Sequence, residues 1–288
     1  MLLYAPVIAI EIQRHHLLHR PRYTNCPMKT GLFIFGFLFL ITAEVLKAYF
    51  IIPFPHSQLG NTLGLCYFIN IHIGWLRLAG CLIIIYPLVQ LFRNGRRWQK
   101  GLSIVAVLIY TTVLYLSNYQ FAADKIFEEP KEKMFADAKV ASAHNGQLVI
   151  GVTYNGEAKA YPVSVVSFHH QVRDTVGGKP VIITYCSFCS AGRVYSPFIN
   201  GKYSTFRLVG MTNFNSVFED DITKSWWRQA NGVAVAGKLK GTRLDVVPSE
   251  IMYLGQWLMA HPKSIVMMPD RNFLQEYHEF NTGKFKIY

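Results

Sequence analysis

Acidic residues are scarce in the first part of this chain, charge of either sign is sparse throughout, and cysteine is rare. Charged side chains make up 16% of the 288 residues against 51% hydrophobic ones. That balance excludes a disordered or solvating chain, which would be charge-rich and poor in the 20 Phe and 16 Tyr found here. Five cysteines are too few for a disulfide-built scaffold, so any cysteine chemistry rests on spacing. A zinc ribbon built on cysteines alone needs a second C-x-x-C, and none exists; covalent haem needs a His directly after C-x-x-C, where Ser190 stands instead. The excess of 29 Lys+Arg over 17 Asp+Glu, a net of +12, points to a polyanionic partner only if the charge forms a patch on a folded face.

Its distribution gives a different reason. Residues 1–118 hold 10 Lys+Arg and 2 Asp+Glu, and residues 119–288 hold 19 and 15. Three long apolar runs occupy the first part. Gly31 to Ile52 is interrupted only by Glu44 and Lys47, Phe68 to Phe92 only by Arg77, and nothing charged lies between Lys100 and Asp124. About 20 apolar residues cross a bilayer as a helix, so a three-span, α-helical transmembrane segment is expected over residues 31–118. Arg14, Arg20, Arg22 and Lys29 precede the first span and Arg93, Arg96, Arg97 and Lys100 separate the second from the third, while Pro53 to Tyr67 has no basic residue. The positive-inside rule then puts the N-terminal tail, residues 1–30, in the cytoplasm and everything after about Asn118 outside. The basic excess is a topology signal, and no nucleic-acid partner is needed. Glu44 and Arg77, at similar depth, are expected to form an intramembrane ion pair. Met28 reads as the natural start, in which case His15, His16, His19 and Cys26 carry no function.

After a linker, 119–139, residues 140–288 read as one strand-rich α+β domain. Leu148–Tyr154, Asn155-Gly156 and Glu157–Val163 form a hairpin pattern. Ser164 is expected to cap a short helix with Val165, Phe168, His169 and Val172 on one face. Pro180–Tyr185 suits a buried strand, Arg193–Phe198 and Tyr203–Val209 a second hairpin around Asn200-Gly201, and Ser249 the cap of a helix facing Ile251, Leu254, Trp257 and Leu258 to the core.

The chemistry concentrates at Cys186-Ser187-Phe188-Cys189. This spacing suits a disulfide, a redox dithiol or a shared metal ion. With His169 or His170 added, soft thiolates and imidazole suit Cu(I) or Zn. The stretches VIGVTYNGEAKAYPV, SFHHQVRDTVGGKPVIITYCSFC and SWWRQANGVAVAGKLKGTRLDVVPSE, within residues 149–270, together resemble the domain-of-unknown-function 3179 family of bacterial and archaeal extracytoplasmic proteins. Phe168-His169-His170 stands where that family has Trp-His-Glu, Ser187-Phe188 replaces Pro-Leu between the cysteines, and Ser225, Trp227 and Gln229 match a Ser-x-Trp-x-Gln step. The resemblance implies an outer location and gives no activity, though relatives with selenocysteine in the C-x-x-C region imply nucleophilic or redox chemistry.

The expectation is therefore a multi-pass protein of a bacterial cytoplasmic membrane whose Cys186 and Cys189 exchange thiols with a redox partner protein. His169 tunes the attacking sulfur, and Trp227, Gln229 and His170 shape the pocket. The alternatives are a copper- or zinc-binding module on Cys186, Cys189 and His169, and a structural or sensory protein with a stapling disulfide.

Overall fold

The computed structural model describes residues 27–285 except 53, 55, 59, 61 and 142–144; the residues expected to be a functionless tail, His15, His16, His19 and Cys26, lie outside the described residues. Helices α1 (Pro27–Tyr49), α2 (Leu63–Asn94) and α3 (Arg97–Tyr115) come first, α3 running on as a π-turn over Leu116–Gln120. All three are long and apolar enough to cross a membrane. The second begins at Leu63, five residues before the expected Phe68, because Leu63–Tyr67 is apolar and without proline, and tolerates Gly64 in the first turn.

The chain divides into two units, residues up to 43 with 74–113 and residues 44–73 with 114–288. In the first unit, α1 and α2 approach through glycines. A Cβ on Gly36 would lie 2.7 Å from Ile84 Cγ1, and one on Gly80 2.4 Å from Leu40 Cδ2. Close backbone approach at small residues is how helices associate where no water drives burial.

The second unit contains the strand-rich domain. Its elements are α4 (Ala123–Ile126), β1 (Phe135–Asp137), α5 (Ala138–Ala141), β2 (Leu148–Tyr154), β3 (Glu157–Pro162), α6 (Val163–His169), β4 (Gln171–Val176), β5 (Lys179–Cys186), β6 (Ala191–Tyr195), β7 (Phe198–Ile199), β8 (Lys202–Tyr203), β9 (Phe206–Thr212), β10 (Asn215–Asp220), β11 (Trp226–Arg228), β12 (Ala234–Ala236), β13 (Glu250–Tyr253), α7 (Leu254–Ala260), β14 (Ile265–Met267) and α8 (Leu274–Asn281). They form sheets of order β1-β14-β3-β2-β13, β12-β11-β10-β9 and β4-β5-β6, plus the ribbon β7-β8.

The first hairpin is as expected, with Asn155 and Gly156 both at positive φ in its turn. Three expectations are corrected. Pro162, not Ser164, precedes α6, its φ of −57° already suited to a helix start, and Val172 lies in β4, because His170 leaves the helix at φ 59°. Arg193–Tyr195 pairs with β5 rather than with Tyr203, since Pro197 stops the strand; only Phe198–Ile199 and Lys202–Tyr203 form the ribbon around Asn200-Gly201. Glu250–Tyr253 is a strand paired with Leu148–Gly151, so α7 starts only at Leu254.

Three apolar clusters build the domain core, one around Ile150, Tyr161, Phe168 and Ile183, one around Tyr195, Phe206, Phe218 and Trp227, and one around Val149, Leu254, Trp257 and Val266. A further cluster brings Ile51, just after α1, and Cys66, in the first turns of α2, against Val209, Val217 and Trp226. Tyr67 meets the Trp226 ring edge-on at 5.2 Å and donates its hydroxyl to the Lys224 carbonyl. The sheet β9–β12 therefore packs on Ile51, Cys66 and Tyr67.

Candidate functional site

Cys186 is the last residue of β5 and pairs with Ala191, the first of β6. The C-x-x-C thus forms the tip of a β-hairpin, closed by Ser190 at φ 45°. In this position no helix N-terminus acts on the first sulfur, the usual device for lowering a C-x-x-C thiol's pKa.

The second hairpin, β9–β10, supplies what the helix would. Its turn residues Asn213 and Phe214 are both left-handed, φ 48° and 58°. This turn brings the Phe214 carbonyl oxygen to 3.6 Å from Cys186 Sγ and 3.7 Å from Cys189 Sγ, accepting from the thiols. Asn215 Nδ2 donates to Cys189 Sγ at 2.9 Å, and its Oδ1 accepts from the Ala230 N–H, which fixes the amide's orientation. Burial pushes the Cys186 thiol up. The Cys189 thiol, the Ser216 hydroxyl and the N–H groups of Cys189 and Ser216 outweigh it as donors and hold Cys186 below its ordinary 9.0. Cys189 is pushed up to about 11 by burial and by the neighbouring Cys186, which accepts its proton and carries the negative charge. Of the two sulfurs, Cys186 is the one on which negative charge is favoured and Cys189 the one that holds its proton more tightly. Cys186 is buried and Cys189 exposed, so the stabilised thiolate lies beneath the accessible sulfur.

His170, expected to line the pocket or, with the cysteines, to hold a metal ion, stands behind Ser216. Its Nδ1 lies 3.2 Å from Ser216 Oγ and 3.3 Å from the Tyr185 carbonyl. A proton on Nδ1 donated to Ser216 directs the Ser216 hydroxyl toward Cys186. His169 faces the other way: Nδ1 meets the Glu128 carbonyl and Nε2 the Tyr277 hydroxyl, among Phe168 and Phe273. The left-handed turn at His170 separates the two side chains. No group of three His, Cys, Asp or Glu converges in metal-binding geometry among the described residues.

Gln229 braces the site from below. Its Nε2 donates to Thr184 Oγ1 and the Ala191 carbonyl, and its N–H to the Ser216 carbonyl, so it ties both hairpins together. Trp227 is core: its indole N–H donates to Asp220 Oδ2, which also takes the Ser225 N–H. The Ser225–Trp227 step is thus a structural knot. Glu44 and Arg77 fall in different units; Glu44 is buried and accepts from Asn118 Nδ2 at 3.1 Å.

An open cleft of about 560 Å³ lies beside the loop, lined by Leu148, Ser164, Ser167, Tyr185, Ser187 and Phe280 among others, and without charged side chains among them. Asn215, Ser216 and the Phe214 carbonyl escape sequence reasoning because tertiary pairing alone brings them to the cysteines. The same is true of Gln58, whose Nε2 donates to the Met211 carbonyl at 2.7 Å and whose Oε1 accepts from the Asn213 N–H at 2.6 Å. It clamps the turn that faces the sulfurs.

Fold and site together define a protein of three apolar helices followed by a strand-rich domain with a cysteine pair at a hairpin tip. The chain belongs to the family described as Protein of unknown function (DUF3179), whose model matches residues 129–285. The match extends beyond the stretch 149–270 at both ends, taking in Glu129, which binds Arg173 Nε at 2.8 Å, and Phe280 and Phe285, which pack on Phe168. No curated protein and no solved structure matches the chain significantly.

Proposed function

We propose that the protein is a membrane-anchored thiol–disulfide oxidoreductase acting outside the cytoplasm, with Cys186–Cys189 as the exchanging pair. The observation that carries this reading is the set of donors around Cys186: the Cys189 thiol, the Ser216 hydroxyl and two backbone N–H groups favour a thiolate on a buried sulfur. A stapling disulfide has no use for thiolate donors.

The geometry favours the oxidising direction. In the disulfide form, a substrate thiolate reaches the exposed Cys189 sulfur; the new substrate–Cys189 bond forms as the Cys186–Cys189 bond breaks, and Cys186 leaves as the stabilised thiolate. A leaving thiol of low pKa leaves faster, and stabilising the reduced form makes a dithiol a stronger oxidant. A second substrate thiolate then displaces Cys189, which departs with one proton, leaving substrate disulfide and the reduced pair. A redox partner protein regenerates the disulfide by taking the two electrons and the one proton that the reduced pair gives up.

The location is supported by the basic residues before α1 and between α2 and α3, which put the N-terminal tail inside and the strand-rich domain outside a bacterial cytoplasmic membrane. In that oxidising compartment the disulfide form persists.

Redox titration of the full-length protein against dithiothreitol, read by mass-spectrometric thiol trapping, tests the proposal. The expected result is a reversible Cys186–Cys189 couple more oxidising than a structural disulfide, about −300 mV or lower, together with oxidation of a reduced, unfolded polypeptide. A pair that stays oxidised throughout the titration sinks it.

A further inference from the structure

The clamp of Gln58 on the β9–β10 turn bears on where the cysteines sit relative to the lipid. α1 ends at Tyr49, and the Ile51 carbonyl, two residues on, accepts the Met211 N–H at 2.9 Å. Phe214 follows Met211 by three residues, so the hairpin tip is at most about 10 Å of chain from that anchor. The interfacial layer on each side of a bilayer's hydrocarbon core is itself roughly 5–7 Å thick. The next turn of the same sheet is tied down similarly, Lys224 accepting from Tyr67 in the first turns of α2. Both turns thus hang beside helix ends that belong to a membrane-crossing segment.

Their tips are apolar and uncovered. Phe214 is 59% exposed and Phe188, in the cysteine loop, 67%, the two rings 6.2 Å apart; Ile222 on the neighbouring turn is 43% exposed. The segment that anchors these turns exposes apolar and aromatic side chains of its own, Phe54, Leu65 and Phe68. Phe and Leu side chains are among those that interfacial segments bury at the headgroup boundary, and large exposed apolar patches mark contact surfaces.

We infer that Phe188 and Phe214 form an interfacial anchor that inserts into the lipid surface on the domain's side of the membrane, presenting Cys189 at the headgroup layer. Unlike the redox reading, this inference needs nothing from the sulfurs' reactivity. Combined with it, the anchor selects substrates and partners whose thiols are carried at the membrane surface.

The test places the photo-crosslinking residue p-benzoyl-phenylalanine at position 188 or 214 of the full-length protein, reconstituted in phosphatidylethanolamine–phosphatidylglycerol vesicles. Position 68, within α2, is the positive control. Lipid adducts at both 188 and 214, identified by mass spectrometry, are expected. Absence of lipid adducts at either position while 68 is labelled overturns the inference, and so do adducts to protein in place of lipid. Both side chains are exposed, so the replacements leave the core intact. Redox titration of the same variants reports the cysteine chemistry separately.

Discussion

The backbone N–H of Asn213 donates to the side-chain oxygen of Gln58 at 2.6 Å, linking the segment between the first two helices to the turn that faces the cysteines. The Gln58 amide also donates to the Met211 carbonyl, so one side chain holds both ends of that turn. Gln58→Ala removes both bonds, with the longer one from the amide to the Phe50 carbonyl, at a cost of about 1–3 kcal/mol of stability. It also loosens Phe214, Asn215 and Ser216 against the sulfurs. The expected outcome is a lower melting temperature together with a Cys186 thiol moved back up toward its ordinary value, read from the pH profile of alkylation. A melting shift with an unchanged profile would show that the clamp is structural only.

Ser216→Ala deletes one hydroxyl donor to Cys186 and leaves its backbone N–H in place. A hydrogen bond to a charged group contributes about 1.5–3 kcal/mol, so the Cys186 pKa rises when this donor is lost. Thiolate absorbance near the ultraviolet edge, followed against pH, measures the shift. His170→Phe gives a smaller rise in the same direction, because it removes only the group that orients the hydroxyl.

Burial lowers His169 and His170 to about 4 from 6.5. Between those values the unfolded chain binds more protons than the folded one, so stability falls as pH drops through the window. It is full above about 6.5, and the loss is complete below about 4. Chemical denaturation of the full-length protein at intervals from pH 7 to pH 4 is expected to show this slope. His169→Phe removes one titrating group and flattens it; an unchanged slope would place the proton uptake elsewhere.

The sequence made some of these elements legible and hid others, for physical reasons. The three apolar helices could be read because a bilayer imposes a length and forbids charge. The β2–β3 hairpin was readable because Asn155-Gly156 is a local signal for a turn with both residues at positive φ. The C-x-x-C stood out by spacing alone. What surrounds it did not. Cys189 and Asn215 are 26 residues apart and are joined only by the meeting of two hairpins, and the β9–β10 turn carries Phe214 at positive φ, a conformation its side chain does not advertise. The sequence reading gave His169 the sulfur-tuning role and His170 a place in the pocket, but the left-handed residue between helix and strand sends the His169 ring to Tyr277 and the His170 ring to Ser216. Gln58 lies more than 150 residues from Met211 and Asn213, in a segment whose only sequence signal was the absence of basic residues.

Cys189 is the exposed sulfur and Cys186 the buried one that leaves, so the two single substitutions differ. In Cys186→Ser no resolving thiol remains, and mixed disulfides between Cys189 and substrate or partner accumulate. In Cys189→Ser the remaining sulfur is covered, and such adducts are scarce, even though a hydroxyl at 189 can still donate to Cys186. Cys189→Ala removes that donor as well, so the Cys186 pKa rises. Non-reducing electrophoresis of membranes treated with a thiol-blocking reagent distinguishes the variants. Adducts found mainly through Cys186 would reverse the assignment and require the 187–190 loop to open during exchange.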